Sequence, residues 1–270
     1  MIKRIAVIGY GAIAKDVLKA LQALIDTHHI AILVHTRSAL SDADLASLPT
    51  TAEVTQEPAR LWSFKPDLVI EAAGQAAVAQ YVPACLSAGA DVLISSIGAL
   101  ADTDLYAELL KVAQQFQRRI LLPAGAIAGL DYLQSIQGAT ALQVIYESHK
   151  PVAAWLPELV ALGIAPASVQ EPLTLFEGSA AEAAKRYPQN LNVAATLALA
   201  GIGMEQTQVR VVVDPHIQEN QHHILIRSEY GEMRLQLSNT PAPSNPKSSW
   251  VVAQSIAAVV KKEFAQLRIA

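Results

Sequence analysis

A single cysteine, Cys85, stands in 270 residues, so the chain builds neither an intramolecular disulfide framework nor a cysteine zinc cluster. It sits in the apolar series Val78, Val82, Cys85, Leu86 and reads as a small buried hydrophobe. Aromatic residues are scarce at 5%, and charged residues at 16%. There is no basic excess: 20 Lys and Arg against 24 Asp and Glu leave a net charge of -4. A chain without a basic field has no means of holding a phosphate backbone, which excludes nucleic acid as the expected partner. No stretch approaches the ~18–20 uninterrupted apolar residues of a membrane span. Lys3-Arg4, the run Ile5 to Ile13 and Ala12-Ile13-Ala14 imitate a signal peptide with its cleavage site. Cleavage there would discard a core strand and a glycine turn, so a cytoplasmic protein is expected. What is abundant is apolar material: 52% hydrophobic residues and a mean hydropathy of +0.29. Such a composition supplies a sizeable core and excludes intrinsic disorder, and the length suits one large or two modest domains.

Up to about residue 122 short β-rich runs alternate with helical ones. Ile2 to Ile8 is nearly continuous in apolar residues, as for a parallel strand covered on both faces. Val17, Leu18, Leu21 and Leu24 then recur at helical spacing between Ala12 and Ile25. Strands at Ile30–Val34, Leu68–Ile70, Asp91–Ile94 and Ile120–Leu122 alternate with helices at Gln75–Ala88 and Asp102–Gln117. This grammar predicts βαβ units and a parallel, Rossmann-type sheet with right-handed crossovers. After Pro123 the runs Leu142–Tyr146, Leu173–Phe176, Val209–Val213, Ile224–Ser228 and Met233–Leu237 are β-rich, with helices at Ala180–Arg186 and Val193–Leu199. Tyr230-Gly231 suits a hairpin turn. The fold class expected is α/β: an N-terminal parallel-sheet domain (residues 1–125) and a C-terminal α+β domain with a mainly antiparallel sheet (126–246). Pro241 to Pro246 reads as a stiff linker. A last helix, about Ser248 to Leu267 within 247–270, is expected to complete the first domain.

Gly9-Tyr10-Gly11-Ala12-Ile13-Ala14 fits G-x-G-x-x-G/A between a strand and a helix, the context a dinucleotide-binding turn requires. Gly9 permits the tight turn, Gly11 lets backbone approach a pyrophosphate, and Ala14 allows close helix–strand packing. Ala12 and Ile13 open the helix whose N-terminus faces the anion. An NAD site usually places Asp or Glu at the end of the second strand. Here stands Val34-His35-Thr36-Arg37-Ser38, with no acid before Asp42. Arg37 can pair bidentately with a 2′-phosphate and Ser38 can add a hydroxyl, so the cofactor expected is NAD or NADP, with NADP accepted. A solvated Arg37 in a pocket that tolerates both is the alternative.

Ligands of an open parallel sheet bind beyond the carboxyl ends of its strands. The loops there, Glu71–Gly74 (with Ala73 and Gly74), Ser95–Ala99 and Pro123–Gly129, are rich in small residues that let backbone approach a flat ring; close helix–sheet packing explains single glycines equally well. In the second domain, Asn190 and Asn192 precede a small-residue helix, as N-caps or as ligand contacts. Successive strand residues point to opposite faces, so His222 and His223 cannot share one role; either is a candidate general acid/base. His216, His222 and Asp214 lack ligand spacing, and no metal is expected.

Together these segments resemble the L-aspartate dehydrogenase family. The matching stretches are Gly9–Ile13, Pro123–Asp131, Phe176–Ala180, Tyr187–Gly201, Asp214-Pro215, Asn220–Ile224 and Asn245–Lys247. The Asn192 and His222 segments are more specific than the glycine turn. The resemblance implies conversion of L-aspartate, NAD(P)+ and water to oxaloacetate, ammonium and NAD(P)H through iminoaspartate, in pyridine nucleotide biosynthesis. It implies that His222 is catalytic, that Ala126 and Asn192 contact the nicotinamide cofactor, and that the protein is a homodimer. The substrate's carboxylates need cationic or N–H partners, for which Lys150, Lys247 and the backbone from Gly125 to Gly129 are the candidates. Ser148-His149-Lys150-Pro151 departs from the Arg-Lys-Pro that relatives often carry, which leaves those anchors open. Rival readings are a homoserine-dehydrogenase-like or dihydrodipicolinate-reductase-like enzyme, and a non-catalytic NADP(H) sensor. Only the aspartate enzyme consumes NAD(P)H with oxaloacetate plus ammonium. Replacing Arg37 with Asp is expected to raise the KM for NADP more than that for NAD in steady-state assays; equal changes would remove its role.

Overall fold

The computed structural model describes residues 2–187, 192–243 and 245–268, without the side chains of 246 and 247. The chain divides into two compact units, one running to Gly125 and resuming at Val252, the other spanning Ala126–Val251.

The first unit holds β1 (Arg4–Ile8), α1 (Ala12–His28), β2 (Ala31–His35), α2 (Asp42–Ala46), β3 (Ala52–Thr55), α3 (Pro58–Ser63), β4 (Leu68–Glu71), α4 (Gln75–Ser87), β5 (Asp91–Ile94), α5 (Thr103–Gln115) and β6 (Ile120–Leu121). Its six strands are parallel in the order β3-β2-β1-β4-β5-β6. β1 is central because Ile5 to Ile8 are apolar throughout and so can be covered on both faces, where they are buried. Val17, Leu18, Leu21 and Ile25 turn the apolar stripe of α1 into the same core. Strand order reverses between β1 and β4, which opens a crevice at the carboxyl ends of these strands. Gly9 sits there with φ +90, and a Cβ on it would come within 2.8 Å of Ala73 Cβ and 2.9 Å of the Ala72 carbonyl. Only glycine lets the two loops approach this closely. Cys85 is buried, and burial pushes its thiol up to about 12. α2, β3 and α3 are absent from the sequence reading, because elements of four to six half-exposed residues are too short to display a hydrophobic period.

The second unit begins with α6 (Leu130–Ser135), β7 (Gln143–Lys150) and α7 (Leu156–Ala161). It continues with β8 (Leu173–Ser179), α8 (Ala180–Arg186), α9 (Asn192–Ala200), β9 (Gln208–Val213), β10 (Asn220–Ser228) and β11 (Gly231–Asn239). Its five-stranded sheet has the order β11-β10-β7-β9-β8. All neighbours are antiparallel except β7 and β9. β10 and β11 form a hairpin that turns through Glu229-Tyr230, with Ser228 opposite Gly231. Trp155 and Tyr146 are the bulkiest fully buried side chains of the chain, and the small residues Ala194, Ala195 and Ala198 let α9 lie deep in the core. A capping box starts α8: Ser179 Oγ accepts from the Glu182 N–H while Glu182 accepts from the Ser179 N–H.

The proline-rich stretch is not simply a linker. β12 (Pro241–Ala242) and β13 (Asn245–Ser249) pair there antiparallel, with Pro241 opposite Ser249. Proline is tolerated because this is a two-stranded edge, where its missing N–H leaves no ladder incomplete. That pairing delays the last helix, α10, to Val251–Lys262. Within the first unit, Ala253, Ile256, Ala257 and Val260 of α10 join the core at spacings of three and four. Among the described residues no helix is long and apolar enough to cross a membrane.

Candidate functional site

In the first unit a cavity of about 440 Å³ is lined by Gly9, Gly11, Arg37, Ser38, Ala73 and Gly74, six positions singled out from the sequence. Ala12 and Ile13 open α1 directly behind it, with Gly11 as N-cap and no side chain capping the helix. The unpaired N–H groups and positive dipole end of such a helix suit an anion. Gly11 has an ordinary φ of -82, and a Cβ on it would meet nothing within 4 Å. The chain's own packing therefore does not demand glycine there, whereas close passage of a pyrophosphate does. The residues present fit a bound dinucleotide.

Glu71, fully buried at the end of β4, shapes one wall. Its carboxylate accepts from the Ala73 and Gly74 N–H groups (2.8 Å each), the Ser96 N–H (3.0 Å) and Ser96 Oγ (2.9 Å). After β2, Thr36 Oγ1 donates to the Ser38 carbonyl (2.8 Å) and closes the turn that carries Arg37. Of the acids on α2, Asp44 is already paired with Lys15. His35 is buried beneath this turn, edge-on to Tyr81, with neither ring nitrogen hydrogen-bonded.

The second unit gathers polar groups on the buried face of its sheet. The period of two sends Tyr146, Ser148 and Lys150 of β7 to one side with Asn220 and His222 of β10. Register sets Ser148 directly opposite His222. Tyr146 Oη lies 2.8 Å from His222 Nδ1, and the two rings stack. Within this group, buried atoms of three side chains have no partner among the described residues: His222 Nε2, Ser148 Oγ and both amide atoms of Asn220. Lys150 is 5% exposed, with Nζ over the Trp155 ring at 5.6 Å. Burying so many unsatisfied polar atoms costs several kcal/mol in total, at about 1–3 kcal/mol each, unless a polar ligand meets them.

The remaining expectations fall as follows. Ala126 is buried, and its carbonyl accepts from Asn239 Nδ2 at 2.8 Å. Asn192 is the first residue of α9 and its carbonyl accepts from Thr196 Oγ1. Gly125 adopts φ +65 and donates its N–H to Ser255 Oγ at 2.8 Å, so that N–H is already committed and does not offer itself to a substrate carboxylate. Asn190 and the Lys247 side chain lie outside the described residues. His216 is exposed near Glu171, so the trio His216, His222 and Asp214 is not brought together. His223 projects to the opposite face from His222, beside His149 and Glu147.

Tyr146, Ser148 and Asn220 escaped the sequence reading as site residues, and Glu71 entered it only as the first residue of a small-residue loop. Polar residues at alternate positions of an otherwise apolar strand, Tyr146-x-Ser148-x-Lys150, were the available signal. Without the pairing register that signal could not be connected to His222.

Residues 131–263 match the family described as "Aspartate dehydrogenase, C-terminal", and residues 9–123 match "Homoserine dehydrogenase, NAD binding domain". The chain is 51% identical over 269 residues to "L-aspartate dehydrogenase 2" of Bordetella bronchiseptica, covering 100% of both chains. It is 38% identical over 272 residues to the L-aspartate dehydrogenase of Methanosarcina barkeri, covering 98% of each. Among solved structures, the aspartate dehydrogenase of Thermotoga maritima superposes with a TM-score of 0.77 at 24% identity over 99% of each chain. A hyperthermophilic archaeal homoserine dehydrogenase in complex with NADPH superposes at 0.62, with 13% identity over 98% of each. At these identities the two structures speak for the fold.

Burial holds His35 below the ordinary histidine range. His222 is pushed down to about 3, by burial first and then by the Lys150 and His223 charges. Unfolded imidazoles bind a proton near pH 6.5, whereas the folded ones resist it. The stabilisation is therefore full above pH 6.5 and is lost as pH falls toward the folded values. Stability to denaturant is expected to fall on acidification through this window, and less steeply in a His35→Gln, His222→Gln double variant; identical slopes would show that neither imidazole is the cause.

Proposed function

Because the chain belongs to the L-aspartate dehydrogenase family, we propose that His222 is the proton acceptor in aspartate deamination and that Lys150, Ser148 and Asn220 hold the substrate around it. The protein is an NAD(P)-dependent amino-acid dehydrogenase: L-aspartate, NAD(P)+ and water give oxaloacetate, ammonium, NAD(P)H and a proton through iminoaspartate, reversibly. The observation that carries the residue assignment is the convergence of unpartnered Ser148, Asn220 and His222 atoms beside buried Lys150 on one sheet face.

The nicotinamide, when bound, takes the hydride from the substrate's α-carbon. The chain's own groups do the rest. Donation of the His222 Nδ1 proton to Tyr146 Oη leaves the lone pair on Nε2, the nitrogen that has no partner among the described residues. Burial and the Lys150 ammonium keep this imidazole neutral in the free protein. Nε2 then accepts the proton released from the substrate amine, passes it to solvent, and as the neutral base again takes a proton from the water that attacks the imine carbon. A substrate carboxylate against Lys150 offsets the ammonium's field and makes the proton easier for His222 to hold. Ser148 Oγ and the Asn220 amide supply neutral hydrogen bonds to the same dicarboxylate. Lys247 remains a second candidate counter-charge.

In the first unit, Gly9, Gly11, Ala12 and Ile13 cradle the pyrophosphate, while Ala73 and Gly74 form the facing wall. Arg37 and Ser38 line the same cavity, and among the described residues no carboxylate lines it, which supports acceptance of a 2′-phosphate and hence of NADP. Ala126 and Asn192 carry over from the family as contacts of the nicotinamide half. A cytoplasmic homodimer is the assembly the family reading favours; light scattering that returns the monomer mass would refute the dimer.

His222→Ala is expected to lower kcat by about 10²–10⁴-fold, the worth of a general base, with cofactor affinity nearly intact. Tyr146→Phe is expected to lower kcat about tenfold, the kinetic equivalent of one hydrogen bond, with little change in KM. Steady-state assays with oxaloacetate, ammonium and reduced cofactor check both; near-normal turnover of His222→Ala would overturn the assignment.

A further inference from the structure

The face of the second unit's sheet opposite His222 carries a cluster that the dehydrogenase reaction does not use. Glu147 and His149 of β7 and His223 of β10 each offer a ligand-type atom, all within 4.8 Å of one another. His149 Nε2 lies 3.3 Å from Glu147 Oε2, and His223 Nδ1 lies 4.0 Å from the same oxygen. Ligands held at ~2.0–2.1 Å around a tetrahedral ion stand about 3.4 Å apart, so the spacing is already near that of a coordination sphere.

The outward-facing atoms add an independent argument. His149 Nδ1 points at Asp214 Oδ2, 3.7 Å away. His223 Nε2 lies 3.3 Å from Gln221 Oε1. Glu147 Oε1 accepts from Arg210 at 2.9 Å, leaving Oε2 for the cluster. Each imidazole thus has one nitrogen toward Glu147 Oε2 and the other toward a second oxygen, within hydrogen-bond distance for His223 and at the longer 3.7 Å for His149. A metal-ligating histidine has this arrangement, because donation of the remote N–H fixes the tautomer and aims the lone pair. The two rings stack at 4.4 Å with a tilt of 29°, so binding requires their rotation rather than any backbone movement. A cavity of about 590 Å³ bounded by Glu147, Arg210 and His223 gives an ion access.

We propose that Glu147, His149 and His223 form a binding site for a divalent transition ion of the zinc class, completed by water. Two imidazoles and one carboxylate suit zinc and its neighbours rather than magnesium or calcium, which prefer oxygen ligands. The ion ties β7 to β10 from the face opposite His222 and touches no reacting atom. Its role is therefore structural: it secures the strand pairing that sets Ser148 opposite His222.

The test uses the full-length protein after removal of metals with a chelator. Titration with Co2+ is expected to raise visible d–d absorption that saturates at one equivalent per chain and is displaced by Zn2+. His149→Ala and His223→Ala should each weaken binding about 10-fold or more, while His216→Ala, at an exposed imidazole, leaves it unchanged. Absence of the absorption in the wild type, or its persistence in the folded double variant, would overturn the site. Should the double variant lose its circular dichroism, acylation by diethyl pyrocarbonate mapped by mass spectrometry decides the matter in the wild type. Zn2+ is expected to protect His149 and His223 but not His216, and equal labelling with and without Zn2+ would overturn the site.

Discussion

Strands β7 and β10 pair so that Ser148 meets His222 and Glu147 meets His223, and this single register sorts the chemistry of the second unit. A slip of one residue would exchange the two faces: His222 would leave the buried polar group, and His223 would enter it. The apolar members of the same strands oppose such a slip. Val144 and Tyr146 on β7, with Ile224 and Ile226 on β10, are almost wholly buried, and a slip of β10 would turn Ile224 and Ile226 outward, away from their partners on β7. The hydrophobic core thus holds two adjacent histidines to opposite faces.

Polar side chains on the inner face are the cost of that arrangement. A core designed for stability alone would not bury Ser148, Asn220 and a histidine nitrogen without partners, nor place an ammonium among them. The enzymatic reading accounts for the debt, since a dicarboxylate with an amino group can meet a cation, a hydroxyl, an amide and an imidazole at once. The first unit uses a different device. There the buried Glu71 carboxylate is fully satisfied by backbone and Ser96 donors, and it serves to fold the β4–α4 loop back against Gly9. Both units keep their special residues at strand ends or on strand faces, where rigid pairing positions them.

Much of this was legible in the amino-acid order. The strand–glycine turn–helix unit could be read because its signals are local: an apolar run, two glycines and a helical period adjoin one another. The absence of an acid after Val34 was equally local and pointed to the same cavity wall that Arg37 and Ser38 form. The short elements α2, β3 and α3 were not legible, because they carry less than two periods of any pattern. Pro241 to Pro246 misled for a related reason: proline content argues against a central strand, yet a two-stranded edge tolerates it.

What amino-acid order alone determined was the kind of unit and the candidates for reactive groups, His222 and His223 among them, because propensity, period and motif act over neighbouring residues. What only the tertiary structure decided was company. Tyr146 and His222 are 76 positions apart, and no local preference encodes that their side chains meet; strand pairing, selected by burial of the whole core, does. The same holds for Glu147, His149 and His223, whose spacing along the chain resembles no ligand motif until β7 and β10 lie side by side.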